Sequence, residues 1–113
     1  MPTVDHVVSV YQELADWHDR RGQTQLRDRF LVLAADAAYA AGRSEQAEEL
    51  RRVLLQLNPR HLLKTSASFA EALRSSEVQS YLNDLRQSYP AEAAEHLLES
   101  LRLDFGYGSQ IHP

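Results

Sequence analysis

The chain has 113 residues, of which 43% are hydrophobic, 25% charged and 8% aromatic, and its formal net charge is −4. This composition predicts one globular domain and excludes a disordered chain. No apolar run approaches the roughly 18 residues that a membrane span needs, and the absence of cysteine excludes disulfides, thiol nucleophiles and thiolate metal sites.

The charges are unevenly distributed along the chain. Residues 1–64 carry 9 basic and 9 acidic side chains, whereas residues 65–113 carry 3 basic and 7 acidic ones. Because the C-terminal half is acidic and no run of basic residues occurs, we expect no binding to nucleic acid. The N-terminal residues lack the basic and apolar regions of a secretory signal, so we expect a cytoplasmic protein. The arginine and alanine bias is typical of a GC-rich, bacterial genome.

Hydrophobic periodicity predicts three helices in the first half of the chain. Apolar residues at spacings of three and four predict a first helix over residues 3–21, which ends at Gly22. Thr24 is expected to cap a second helix, which ends at Gly42. A third helix follows and ends before Pro59, because proline disfavours helical geometry in the residue that precedes it.

Three further helices are predicted after Pro59, over residues 62–74, 77–88 and 90–103. Ser68 and Ser76 each precede a Glu or Gln by three residues, which is the spacing of a capping box. Pro90 is tolerated in a first helical turn because its missing N–H has no helical partner there. Residues 104–113 contain two glycines and are expected to be irregular. Since no alternating strand pattern occurs, the predicted fold class is all-α.

Residues 28–61 carry small and turn-forming residues at positions typical of a helical hairpin. This segment resembles a tetratricopeptide repeat (TPR), a hairpin of about 34 residues. The matching residues are Ala35, Gly42, Ala47 and the closing Leu57-Asn58-Pro59, and Tyr39 lies beside the family's aromatic position. Small residues allow the two helices to approach closely, and glycine allows the turn to adopt a positive φ. The departures from the family pattern are Leu31, Arg51 and Leu54.

The resemblance implies a stack of helical hairpins. Residues 62–90 are interpreted as a degenerate second repeat, and the helices before Gly22 and after Pro90 as end caps, because isolated repeats cannot bury their apolar faces. We therefore expect one TPR-like domain of five to six helices over residues 1–103 and a flexible tail over residues 104–113. The alternative is a compact helical bundle in which one hairpin imitates the motif.

Two groups of polar residues are candidates for catalytic or metal chemistry. The first group shares one face of the last helix and offers oxygen and nitrogen ligands: Glu92, His96 and Glu99. The second offers acid–base groups beside Trp17: Asp16, His18 and Asp19. No nucleophile turn, oxyanion donor or phosphate-binding loop accompanies them. We interpret the first as surface residues and the second as a solvated helix end, and we expect no metal, no cofactor and no enzymatic activity.

The TPR resemblance implies a binding module, because such stacks form a concave surface that receives peptides or helices of other proteins. The residues similar to the groove-lining positions share one face of the second helix: Arg29, Val32, Asp36 and Tyr39. We expect them to bind a partner protein in an adaptor or scaffold. The alternative is that Val32 and Tyr39 pack against a neighbouring helix and that Arg29 and Asp36 are solvated. Other functional alternatives are a structural, self-assembling domain of a larger complex or homo-oligomer and, more remotely, a small helical enzyme or regulator.

Overall fold

A computed structural model describes residues 3–107, with side chains to residue 104. This part of the chain contains helices and no strand, which confirms the predicted all-α class. Its helices are α1 (Val4–Arg20), α2 (Thr24–Ala40), α3 (Ser44–Leu57), α4 (Phe69–Ala72), α5 (Ser76–Ser88) and α6 (Ala91–Leu101). A 3₁₀ turn at Leu62–Thr65 precedes α4, and a π-helical turn at Arg102–Tyr107 follows α6. None of the described helices is both long enough and apolar enough to cross a membrane.

The turns that join α1 to α2 and α2 to α3 have the same geometry. In each turn a glycine with positive φ follows the helix, Gly22 at 73° and Gly42 at 83°. The residue after each glycine donates its N–H to the carbonyl five positions earlier, at 2.8 and 2.9 Å. These hydrogen bonds belong to a Schellman C-cap, in which glycine adopts the left-handed conformation at low cost. The predicted helix ends at both glycines are confirmed.

The helix starts follow the predicted caps only in part. Ser68 accepts the N–H three residues later at 3.0 Å, as its capping spacing predicts. The predicted cap by Thr24 is wrong, because Thr24 is the first residue of α2 and the N-cap position belongs to Gln23. The side-chain oxygen of Gln23 lies 2.7 Å from His18 Nδ1 and caps no N–H. The cap of α5 is Ser75, one residue before the predicted one.

The predicted helix over residues 62–74 is wrong, because a 3₁₀ turn and the one-turn helix α4 occupy this segment. Side chains of α3 form hydrogen bonds with backbone groups that would bond to each other in a continuous helix. The N–H of Phe69 donates to the carboxylate of Glu48, and the carbonyl of Ser66 accepts from Arg51. Side-chain bonds to the backbone compete with helix formation. Arg51, which departs from the TPR pattern, thus anchors the segment that follows α3.

The end of the chain also differs from its prediction. Pro90 is the N-cap of α6 rather than its first residue. The π-helical turn Arg102–Tyr107 continues directly from α6, so the expected irregular structure is wrong for residues 104–107. The remainder of the predicted tail, residues 108–113, lies outside the described residues.

Helix α2 is the centre of the fold. It packs against its chain neighbours α1 and α3 and also against α5, while α6 returns to α1. Its buried side chains are therefore spread around the helix instead of forming one stripe. An aromatic group links distant parts of the chain, because Phe30 of α2 lies between Tyr11 and Tyr89, at centroid distances of 6.4 and 4.8 Å.

The described helices do not form TPR-type repeats. After the hairpin of α2 and α3, the segment that should supply the first helix of a second repeat contains only the 3₁₀ turn and α4. Helices α5 and α6 fold back onto α2 and α1 instead of extending a stack. The bundle alternative therefore describes the architecture, and membership of the TPR family stays a prediction.

Candidate functional site

Three of the four predicted partner-binding residues of α2 contact other parts of the fold. Val32 is 1% exposed and belongs to the core, so its side chain is closed to a partner, as the packing alternative predicts. Asp36 accepts two hydrogen bonds from Arg86 of α5, at 2.9 and 2.6 Å. Tyr39 packs against an aromatic ring of α4 at a centroid distance of 5.7 Å. Arg29 is half-buried, and its role in binding stays a prediction.

The two polar groups considered for catalysis or metal binding are not assembled as sites. On α6 the following side chains are all exposed: Glu92, His96 and Glu99. No group of three or more His, Cys, Asp and Glu side chains in the described part of the chain is arranged to hold a metal ion. At the end of α1, Asp16 and Asp19 are exposed, whereas His18 is 7% exposed and stacks on Phe30 at 5.4 Å. The expectation of a solvated helix end is therefore wrong for His18.

A buried polar cluster joins α1, α2 and the end of α3. Arg27 and Asp28, adjacent on α2, form an ion pair at 2.9 Å, and each side chain is 8% exposed. Arg27 also donates to Asp19 of α1 at 2.8 Å, and Asn58 donates to Asp28 at 2.8 Å. Burial lowers the pKa of Arg27, but its hydrogen bonds to Asp19 and Asp28 outweigh this effect and raise the pKa overall. Because Arg27 bonds to α1 and Asp28 to the end of α3, the cluster ties three helices together.

A second buried pair lies next to this cluster. His61 Nδ1 accepts the N–H of Leu63 at 3.1 Å, which assigns the proton of the neutral ring to Nε2, 3.3 Å from the hydroxyl of Tyr81. Burial lowers the pKa of His61, against the opposing charge of Asp28. Burial raises the pKa of Tyr81, and the charge of Arg29 opposes that rise. Both side chains are therefore neutral at pH 7 and serve as hydrogen-bonding groups within the fold.

A cleft of about 390 Å³ lies between the beginning of α1 and the end of α6. Most of its lining surface is apolar, although four of its seven lining residues are ionisable: His6, Val10, Glu95, Leu98, Glu99, Arg102 and Leu103. Val10 and Leu98 are buried and form the floor. Leu103 is 57% exposed, more than any other large hydrophobic side chain described. The cleft volume lies within the range of ligand-binding pockets in proteins.

The charged groups at the cleft are only partly paired. His6 Nε2 lies 2.7 Å from Glu95 Oε1 across the two helices. Arg102 forms an ion pair with Glu13 of α1. Glu99 lines the cleft without a basic partner among the described residues. The cleft therefore offers an apolar floor beside an available carboxylate.

The sequence does not predict this cleft. The stripe predicted for α1 assumes that the helix buries one face, and it omits Val10. Its members are Val4, Val7, Val8, Tyr11, Leu14, Ala15 and His18. Helix α1 packs against both α2 and α6, and Val10 is buried. An apolar residue outside the main stripe, here Val10, is the sequence signal that could have indicated a second packed face of α1. Leu103 lies in the π-helical turn that follows α6. Hydrophobic periodicity does not predict such a turn.

No protein-family model, curated protein or solved structure matches this chain. Arg27, Asp28 and His61 are buried. Of the stripe on α2, Val32 lies in the core, Asp36 binds Arg86 of α5 and Tyr39 packs against α4. The cleft between α1 and α6 is open to solvent and lined by apolar side chains, which makes it the candidate functional site.

Proposed function

We propose that this protein is a non-catalytic interaction module, an adaptor or scaffold domain that binds a peptide or helical segment of another protein. The observation that carries the proposal is the cleft between α1 and α6, with its apolar floor and the exposed Leu103 at its edge. Because Val32, Asp36 and Tyr39 of the stripe predicted on α2 are engaged within the fold, we place the binding surface at the cleft. The cytoplasmic location stays a prediction.

The chemistry of the cleft suits apolar side chains of a partner segment. Helices bind in grooves by inserting side chains spaced three or four residues apart. Contact with Leu103 would remove apolar surface from water, which contributes about 25 cal/mol for each Å² buried. The floor formed by Val10 and Leu98 is held by the α1 and α6 backbones, so it requires little rearrangement on binding.

Selection of a displayed library of random peptides on the full chain tests the proposal. We expect enrichment of peptides with large apolar residues, and we expect them to shift the NMR signals of Val10, Leu98 and Leu103. Leu103→Asp should lower the affinity for a selected peptide at least about tenfold, because it places a carboxylate against an apolar side chain of the peptide. Leu57→Asp is the matched control, since Leu57 is also exposed, at 46%, but lies at the end of α3 outside the cleft.

Both variants should keep the helical circular dichroism spectrum and the melting temperature of the wild type, because both positions are exposed. The proposal is wrong if no peptide is enriched, or if selected peptides shift signals elsewhere and tolerate Leu103→Asp. Equal weakening by Leu57→Asp would also contradict it. A dimer that dissociates on Leu103→Asp would instead favour the self-assembling domain.

A further inference from the structure

We infer that the segment bound at the cleft is basic and amphipathic, with large apolar side chains facing the floor and lysine or arginine side chains facing α6. This inference rests on the proposed function and names the chemistry of the partner. It is carried by the placement of acidic side chains next to the apolar lining.

The side of α6 that borders the cleft carries an acidic row. Its members are separated by three and four residues, so they share one face of the helix: Glu92, Glu95 and Glu99. Glu95 and Glu99 line the cleft, and Leu103 continues the same row beyond α6. A partner whose apolar residues contact Leu103 is thus brought beside carboxylates.

The basic groups of the cleft do not neutralise this row. Arg102 forms an ion pair with Glu13, and among the acidic row the His6 side chain contacts Glu95. Glu92 is exposed, and neither Glu92 nor Glu99 has a basic partner among the described residues. The whole chain has the same sign, with a formal net charge of −4. Charge complementarity therefore favours a cationic occupant.

A second copy of this chain is the less favourable occupant. A symmetric contact places the same surface on both partners, so an α6 contact would set the acidic row against its own copy. Like charges brought together across an interface oppose binding. Each copy also carries a net charge of −4. The cleft therefore fits a partner of opposite charge better than another copy.

The spacing of the row specifies the pattern expected in the partner. Glu92 and Glu99 are two helical turns apart, roughly 10 Å along the axis. A helical partner lying along α6 would meet both with basic residues seven positions apart. An apolar residue on the adjoining face would then point to the floor formed by Val10 and Leu98. We expect this combination, rather than basic charge alone, to determine binding.

Two synthetic helical peptides test the inference on the full chain. They share the same apolar face and differ in their remaining positions, which are lysine in one peptide and glutamate in the other. We expect the lysine peptide to bind about tenfold more tightly by fluorescence anisotropy, as the sum of several exposed ion pairs. The preference should diminish when salt is raised from about 0.05 M to about 0.5 M, because exposed charges are screened.

Charge reversal on the protein supplies the second arm. Glu99→Lys should remove most of the preference for the lysine peptide. Asp84→Lys is the matched control, because it makes the same change in net charge at an exposed position of α5 outside the cleft. Equal effects of the two substitutions would show that only the overall charge matters and would overturn the inference.

The outcomes separate the inference from the proposed function. Equal affinity for both peptides, or preference for the glutamate peptide, overturns the inference and leaves the binding module in place. If neither designed peptide binds, the library-selected ligands decide: enrichment of lysine and arginine supports the inference, and enrichment of neutral or acidic peptides overturns it. If the library also yields no ligand, the proposed function itself is wrong. A dimer lost on Leu103→Asp identifies a second copy as the occupant and likewise overturns the inference.

Discussion

The hydrogen bond between α1 and the end of α5 predicts an alkaline limit to the stability of the fold. Tyr11 donates its hydroxyl to the carbonyl of Tyr89 at 2.7 Å and is 5% exposed. Burial and, to a smaller extent, the charge of Asp36 raise the pKa of Tyr11 to about 12. A phenolate could not donate this bond and would lie in poorly solvated surroundings, so ionisation opposes the folded state.

The magnitude follows from the difference in proton binding between the folded and unfolded chains. An unfolded tyrosine ionises near pH 10, so above that pH the unfolded chain loses a proton that the folded chain keeps. The stability that Tyr11 contributes is complete below about pH 10 and is lost as the pH rises through about 12. The loss amounts to about 1.4 kcal/mol at pH 11 and approaches about 2.7 kcal/mol above pH 12.

Urea denaturation at pH 8, 10 and 11 measures this loss. Tyr11→Phe should cost about 1 kcal/mol at pH 8, because the carbonyl of Tyr89 loses its donor. Between pH 8 and pH 11 the variant should lose about 1.4 kcal/mol less stability than the wild type. Tyr81→Phe is the control, since burial also raises the pKa of Tyr81, and this variant should keep the part of the pH dependence due to Tyr11. Identical pH dependence in the wild type and Tyr11→Phe would refute the reasoning.

Four other changes have defined expectations. Gly42→Ala should lower the unfolding free energy by about 1 kcal/mol although no atom lies within 4 Å of the added Cβ, because the cost comes from the φ of +83°; an unchanged melting temperature would contradict this. Asp28→Ala should cost about 3 kcal/mol or more in urea denaturation, because the buried Arg27 loses its buried counterion. Stability should fall as the pH drops below about 6.5, since burial lowers the pKa of His61 and the unfolded chain takes up the proton first; His61→Gln should reduce this acid-side slope. Chelators should leave the melting temperature unchanged, and bound zinc lost on His96→Ala would overturn that expectation.

Helices α1 to α3 are predictable because two independent signals agree. The apolar periodicity of each helix ends at a residue that stops helices, Gly22, Gly42 or Pro59. The structure places both glycines at positive φ, where other residues are disfavoured. Local sequence therefore determines where these helices end, and tertiary contacts need not be known.

The segment after α3 is not predictable in the same way. Its apolar residues suggest a helix, but its backbone groups bond to Glu48 and Arg51, which lie 21 and 15 positions from their partners. A pattern read within one segment contains no information about a side chain on another helix. The conformation is set by these tertiary contacts, which override the local preference.

The partner-binding stripe predicted on α2 also depends on contacts that its own sequence does not show. The stripe on α2 is correctly placed on one face, but whether that face is open depends on α5. The bond between Asp36 and Arg86 joins residues 50 positions apart and helps to hold α5 over α2. Periodicity identifies which residues share a helix face, and it does not identify how many faces are covered.

Polar residues that the sequence alone would place on the surface determine which faces of α2 other helices cover. Asp28 and Asn58 fix the α2–α3 hairpin, and Asp36 binds Arg86 of α5. Because α5 packs against α2 and binds Asp36, the face of α2 that carries Asp36 is not left open as it would be in a repeat stack. Helix α6 packs against α1, and Leu103 stays exposed beside the cleft that the buried Val10 and Leu98 line. The covering of the surface predicted on α2 and the presence of a cleft beside α1 therefore have one cause, which is that α5 folds back onto α2 and α6 onto α1.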